Sequence, residues 1–274
     1  MPLAELANIR LYYEEHGRGP ALVLAHGNAC GVRSWDPQLR VLTDHYRVIV
    51  YDARGHGLSE APREASAYSQ QHMVDDLCGL LDHLGLGTAA LGGLSMGGNI
   101  VLNLALAHPE RVSALILADT GAGSDDAERM VARALQGADV LERGGIEAYA
   151  DWALTHPAFT RFASRGPEEE RFIRSCLMTN RAHGLALSTR GVQAKRPSLY
   201  ALEAQLRQLQ LPVLLIVGEH DEACISPHAF MGRTIPNVAH HVLPGVGHLT
   251  NLEAAAAFNH LVVEFLNAHL ARFS

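Results

Sequence analysis

Short apolar runs alternate with amphipathic stretches from Ile9 to Ala118. Ile9 to Tyr13 alternates apolar and polar residues, the period of a half-buried strand. Ala21–Ala25 is a continuous apolar run ending at His26-Gly27, and Arg47–Tyr51 is another ending at Asp52. Between Ser69 and Gly85, residues Met73, Val74, Leu77, Leu80, Leu81 and Leu84 recur at helical spacing, and Gly85 is a suitable stop. Ala89–Leu94 reads as a buried strand, Asn99–His108 as a helix halted by Pro109, and Val112–Ala118 as a further buried strand. Apolar strands separated by helices predict a parallel sheet covered on both faces.

The alternation then fails. From Gly121 to Lys195 the chain is rich in Ala, Arg and Glu, with helical patterning and no convincing strand. Asp125–Leu141 and Glu168–Thr179 are the clearest helices there. Strand patterning resumes at Leu211–Gly218 and again at Ala239–Leu243, and an amphipathic helix over Leu252–Ala271 closes the chain. The pattern predicts an α/β core, residues 1–120 and 198–274, interrupted by a helical cap over 121–197. Such an interruption, about 75–80 residues, is too long for an ordinary loop.

Composition narrows the class. The chain has 274 residues, 48% hydrophobic and 19% charged, enough for a sizeable core. Its 22 Lys and Arg against 29 Asp and Glu give a net charge of −7 without a basic stripe, which argues against nucleic acid as a partner. No apolar run is long enough for a membrane span. Met1–Glu5 has no signal-peptide pattern, and Cys30, Cys78, Cys176 and Cys224 are scattered without metal-ligand spacing. The chain therefore reads as cytoplasmic, with reduced thiols and neither metal nor cofactor.

Candidate chemistry centres on Gly93-Leu94-Ser95-Met96-Gly97, which lies between a buried strand and a helix. A Ser on such a sharp turn is presented at the sheet edge with a helix N-terminus behind it, and the flanking glycines let strand and helix backbones approach. A serine hydroxyl needs a base within hydrogen-bond reach and a group to orient that base. Among 16 histidines, His248 is singled out by position, since it follows the last strand in Leu243-Pro244-Gly245-Val246-Gly247-His248. Asp221 follows the Leu211–Gly218 strand and is the first candidate for the orienting acid. Glu219 and Glu222 are near it, and Asp119 competes because it too follows a strand.

The order Ser95, Asp221, His248 resembles the α/β-hydrolase fold family. His26-Gly27-Asn28, Asp52-Ala53-Arg54-Gly55-His56-Gly57-Leu58-Ser59 and Gly97-Gly98 extend the resemblance over the whole chain. It implies a mostly parallel eight-stranded sheet with helices on both faces and an inserted helical cap. It implies an oxyanion hole made by the backbone N–H groups of Asn28 and Met96. It also makes His26, Asp52, Arg54 and His56 supports for the surrounding loops. Cys30 is expected to be a small buried filler.

The resemblance points to hydrolysis of a small carboxylic ester or lactone through an acyl-Ser95 intermediate. Perhydrolase or haloperoxidase chemistry, carbon–carbon bond hydrolysis, a lyase reaction and a non-enzymatic small-molecule receptor are the alternatives. Ser95 argues against epoxide hydrolases and haloalkane dehalogenases, which use Asp at that position. Substrate choice falls to the cap. Trp152 is its pocket candidate, with Tyr149, Phe159 and Phe162 as further bulky residues, and Arg190, Lys195 and Arg196 are candidates to meet a substrate carboxylate.

Overall fold

The computed structural model describes residues 2–270. Eight strands are present among them: β1 (Leu3–Glu5), β2 (Arg10–His16), β3 (Ala21–Ala25), β4 (Arg47–Tyr51), β5 (Ala89–Leu94), β6 (Val112–Ala118), β7 (Val213–Gly218) and β8 (Val238–Leu243). They form one sheet in the order β1-β2-β4-β3-β5-β6-β7-β8. The β1–β2 and β2–β4 pairs are antiparallel, and every pair from β4 through β8 is parallel. The mostly parallel eight-stranded sheet is thus present. β1 leaves no mark in the sequence pattern because three residues with one buried side chain are too short to show a period.

The continuous apolar strands are buried on both faces because two separate cores flank the sheet. Val23, Ile49, Leu91, Leu115 and Leu215 point to one side, where Leu77 and Leu81 of the helix Gln70–His83 and Ile100 and Leu104 of the helix Met96–Ala107 cover them. Leu24, Val50, Ala90, Ile116 and Ile216 point to the other, under Trp35 and under Phe258, Val262 and Leu266 of the closing helix Ala255–His269. That helix is preceded by one turn, Thr250–Glu253, and separated from it by the non-helical Ala254. The expected end at Ala271 lies outside the described residues.

Between β6 and β7 there is no strand, and the segment is helical. The helix expected over Asp125–Leu141 continues to Leu154 with a break at Gly145, whose φ of 74° is left-handed. The helix expected over Glu168–Thr179 is found at Pro167–Met178. Pro157–Ala163 and Ala182–Gly191 are helices too short to show a clear apolar stripe in sequence. This insertion has its own core of Ala138, Leu141, Tyr149, Ala150, Leu177 and Leu185, into which Ala29 of the α/β part also packs. No helix among the described residues is long and apolar enough to cross a membrane.

Candidate active site

Ser95 sits between β5 and the helix Met96–Ala107 with φ 54° and ψ −107°, a conformation unusual for a side chain other than glycine. Such a residue costs about 1–3 kcal/mol and persists only where its surroundings hold it. Here the Ser95 N–H donates to the Ala118 carbonyl at 2.8 Å, while the Ser95 carbonyl accepts from Asn99 N at 3.1 Å and Asn99 Nδ2 at 3.0 Å. A Cβ at Gly93 would collide with the backbone of Gly97 and Gly98, and one at Gly97 with the carbonyls of Ala25 and His26. The two glycines of the motif are therefore demanded by close backbone approach.

The structure brings Ser95, His248 and Asp221 together from three loops. His248 Nε2 lies 3.0 Å from Ser95 Oγ, and His248 Nδ1 lies 2.7 Å from Asp221 Oδ2. Asp221 is buried at the start of the helix Glu222–Thr234. Met96 is the first residue of the helix behind Ser95, and Asn28 lies in the turn after β3, next to Gly27, where a Cβ would stand 3.8 Å from Ser95 Cβ. Among the described residues, neither of their backbone N–H groups has an acceptor. The side-chain Oδ1 of Asn28 is buried without a partner, so it does not serve as a turn-stabilising acceptor.

Asp119, the rival acid, does not touch His248. Its carboxyl oxygens accept from Gly218 N at 3.0 Å, Thr250 N at 3.1 Å and Thr250 Oγ1 at 2.6 Å. It ties the ends of β6 and β7 to the residues just after His248. Burial, and then the neighbouring charge of Asp221, push its carboxyl well above the usual range. Glu219 accepts from Gly245 N at 2.8 Å on the surface, and Glu222 is exposed.

Burial disfavours a charged imidazole at His248, but the charge and hydrogen bond of Asp221 outweigh it and raise its pKa to about 9. The nearby Asp119 carboxyl adds a smaller push in the same direction. For Asp221, burial works against the carboxylate, yet the charge of His248 and its hydrogen bond hold the pKa below the ordinary value.

His26, Asp52, Arg54 and His56 are each buried and hydrogen-bonded in or beside the loops after β3 and β4. The Ala53 N–H donates to His26 Nε2 at 2.9 Å, and His26 Nδ1 donates to the Gly27 carbonyl at 2.8 Å. Asp52 accepts from Val32 N and Leu58 N, each at 2.8 Å. Arg54 makes a bidentate pair with Asp76 at 2.7 and 2.6 Å. His56 donates from Nδ1 to the Arg54 carbonyl at 3.1 Å. All four cysteines are free, and Cys30 is fully buried in the turn after β3.

Three supports went unnoticed in sequence. Glu253 is completely buried and accepts from Gly247 N at 3.0 Å and Leu249 N at 3.3 Å, one residue to either side of His248. Its charge is met from the insertion by Arg165 at 3.1 Å. His228 accepts from Thr120 N at 2.9 Å, bracing the residue after Asp119. Asn180, between two inserted helices, bonds to both the turn after β3 and the loop after β4. None carries a local motif. Only tertiary contacts reveal them.

The pocket candidates divide. Trp152 stacks against Tyr149, ring centres 5.5 Å apart, and Phe162 is buried against Phe172. Arg190 is spent on Asp139 and Glu142, and Lys195 is exposed. Arg196 has no carboxylate partner among the described residues and donates to Gln193 Oε1 at 3.1 Å and to the Ala122 carbonyl. Arg133, which the sequence did not single out, lies 5.6 Å over the Trp152 ring with its Nε buried and without an acceptor.

This geometry is that of a hydroxyl with a base and an orienting acid, on a strand–turn–helix at the carboxyl end of a parallel sheet. The chain belongs to the alpha/beta hydrolase fold family, which it matches over residues 20–255. It is 34% identical over 254 residues to a Bacillus subtilis (strain 168) protein provisionally named 2-succinyl-6-hydroxy-2,4-cyclohexadiene-1-carboxylate synthase, covering 90% of each chain. It is 30% identical over 258 residues to 3-oxoadipate enol-lactonase 2 of Acinetobacter baylyi, covering 93% of this chain and 92% of that one. A thermophilic esterase from Thermogutta terrifontis superposes with a TM-score of 0.85 at 31% identity, covering 98% of this chain and 99% of the esterase.

The His248–Asp221 contact generates a direct test. Asp221 favours the imidazolium, so removing its charge must lower the His248 pKa. In an NMR titration of the ring signals, His248 titrates above 6.5 in the wild type. In Asp221→Asn the midpoint moves down by at least about one unit. An unchanged midpoint contradicts the assignment of the shift to Asp221.

Proposed function

We propose that this protein hydrolyses small carboxylic esters or lactones through an acyl-enzyme on Ser95. His248 is the base, Asp221 holds its tautomer, and the N–H groups of Asn28 and Met96 receive the oxyanion. The observation that carries this reading is the continuous relay from Asp221 Oδ2 through His248 to Ser95 Oγ, at 2.7 and 3.0 Å. The enol-lactonase and esterase among the relatives support the same chemistry.

In the first half-reaction Ser95 Oγ bonds to the carbonyl carbon while its proton passes to His248 Nε2. The carbonyl oxygen becomes an oxyanion facing the two N–H groups, each worth about 3 kcal/mol of transition-state stabilisation. The intermediate collapses, the carbon–oxygen bond to the alcohol breaks, and His248 returns the proton to the departing oxygen. In a lactone that oxygen stays tethered to the acyl group. A water then gives a proton to His248 and adds to the acyl carbon. A second collapse releases the acid, and the proton returns to Ser95. No metal or cofactor takes part.

The helical insertion over 121–197 acts in this reading as the cap that selects the substrate. Arg133, with its unpartnered Nε over Trp152, favours a substrate bearing a carboxylate. Trp152 stands 6.4 Å from the His156 ring. Burial, then the charges of Arg133 and His248, push His156 down to about 3, so it remains a neutral neighbour of the site. The name of the Bacillus subtilis relative favours a second reading, a synthase reaction in which the Ser95–His248 pair acts as a base and no acyl-enzyme forms.

With p-nitrophenyl acetate, Ser95→Ala is expected to lose at least about a thousandfold in kcat. Wild-type kcat/KM is expected to fall on acidification through a midpoint above 6.5, because the protonated imidazole cannot accept the Ser95 proton. An alanine enzyme within tenfold of wild type refutes the mechanism.

For the substrate class, Arg133→Met is expected to lower kcat/KM about tenfold or more on an ester whose acyl chain ends in carboxylate. A neutral ester of equal length should change less than about twofold. Equal losses on both esters refute the role of Arg133.

A further inference from the structure

The turn after β3 is closed by the Cys30 N–H donating to the Gly27 carbonyl at 3.1 Å. Inside that turn Ala29 has φ 62°, a left-handed conformation that a residue with a Cβ does not hold unaided. Two loops meet at this point, the turn 26–32 and the loop 52–59. The α/β core joins them twice from within, through His26 to Ala53 N and through Asp52 to Val32 N and Leu58 N.

The insertion joins the same two loops a third time. Asn180 is buried, and its Nδ2 donates to the Ala29 carbonyl at 2.8 Å and to the Leu177 carbonyl at 2.9 Å. Its Oδ1 accepts from Gly57 N at 3.1 Å. The amide thus bonds the turn and the loop at once while fixed to its own helix end. The neighbouring insertion residues grip the same loop. His183 bonds through Nε2 to the Ala61 carbonyl at 3.0 Å, and a Cβ at Gly55 would strike the Gly184 carbonyl.

We infer that Asn180 is a positioning residue of the inserted helices: by holding the Ala29 carbonyl it keeps the left-handed turn that aims the Asn28 N–H at the reacting carbonyl oxygen. The inference rests on the reading of Asn28 as an oxyanion donor. Without the Asn180 donor the peptide between Ala29 and Cys30 is free to rotate, Ala29 can leave its strained setting, and the turn carrying the Asn28 N–H drifts. Docking of the insertion and assembly of the oxyanion site are then one event. Contact between Arg165 and Glu253 puts the same insertion on the loop that carries His248.

The discriminating variant is Asn180→Asp, which keeps an acceptor for Gly57 N but has no donor for the Ala29 carbonyl. Two readouts are taken on the whole protein. Hydrogen exchange at the Cys30 amide reports the turn itself, whatever the protein catalyses. Ser95-dependent kcat on p-nitrophenyl acetate, together with inhibition by a boronic acid that mimics the tetrahedral intermediate, reports the oxyanion site. Asn180→Asp is expected to speed Cys30 exchange, to lower kcat by about 10- to 100-fold and to weaken the boronic acid by a similar factor. KM and the acid midpoint should stay at wild-type values. Adding Ala29→Gly, which accepts positive φ without strain, should restore part of the lost kcat.

Unchanged Cys30 exchange overturns the inference. So does faster exchange with kcat and inhibitor affinity intact. If the wild type has no Ser95-dependent ester turnover, it is the proposed reaction that falls, and the exchange result still decides whether Asn180 holds the turn.

Discussion

The close backbone approach around Ser95 is the constraint on which the site depends. β5 runs into the helix Met96–Ala107 with no room for side chains at Gly93 or Gly97, whose neighbours are the backbones of Gly98, Ala25 and His26. This contact sets Ser95 at positive φ and lays the helix N-terminus against the turn that follows β3. One packing decision therefore sets Ser95, the start of the helix behind it and the turn after β3 against one another. The strain at Ser95 is met by hydrogen bonds from Asn99 and to Ala118, inside the most central part of the sheet.

The other parts arrive on separate strands and need separate bracing. Asp221 ends the β7 connection and His248 the β8 connection, and both edges are tied inward by the buried Asp119 through Gly218 and Thr250. Asp119 and Asp221 are shifted in opposite directions for a physical reason. Asp221 is hydrogen-bonded directly to the His248 imidazole, whereas at Asp119 burial and the repulsion of Asp221 outweigh the charge of His248 and the hydrogen bonds from Thr250 and Gly218. Glu253 completes the bracing by accepting the amides on both sides of His248, its charge compensated by Arg165.

Much of this was legible in the sequence. Strand ends could be read because a parallel strand buried on both faces is a continuous apolar run, and the candidate residues stand immediately after such runs. Ser95, Asp221 and His248 could be singled out for that reason, and His248 lies within hydrogen-bond distance of the other two. What was illegible depends on three-dimensional contact. Asn180 and Glu253 are ordinary polar residues of helical segments until folding puts their side chains against distant amides. The helices Pro157–Ala163 and Ala182–Gly191 are too short to show a stripe, and β1 too short to show alternation. Nor did charge alone sort the insertion's arginines: Arg190 is consumed by Asp139 and Glu142, while Arg133 lies over Trp152 with no carboxylate partner among the described residues.

The central claim is that Ser95 becomes covalently bonded during turnover, and an electrophilic trap measures that directly. The protein is incubated with a p-nitrophenyl alkylphosphonate, and its intact mass and Ser95 peptide are analysed by mass spectrometry. The account predicts one phosphonyl group per chain, located on Ser95, with p-nitrophenol released in equal amount and labelling abolished in His248→Ala. An unlabelled Ser95 in a protein that turns over esters and requires His248 would contradict it.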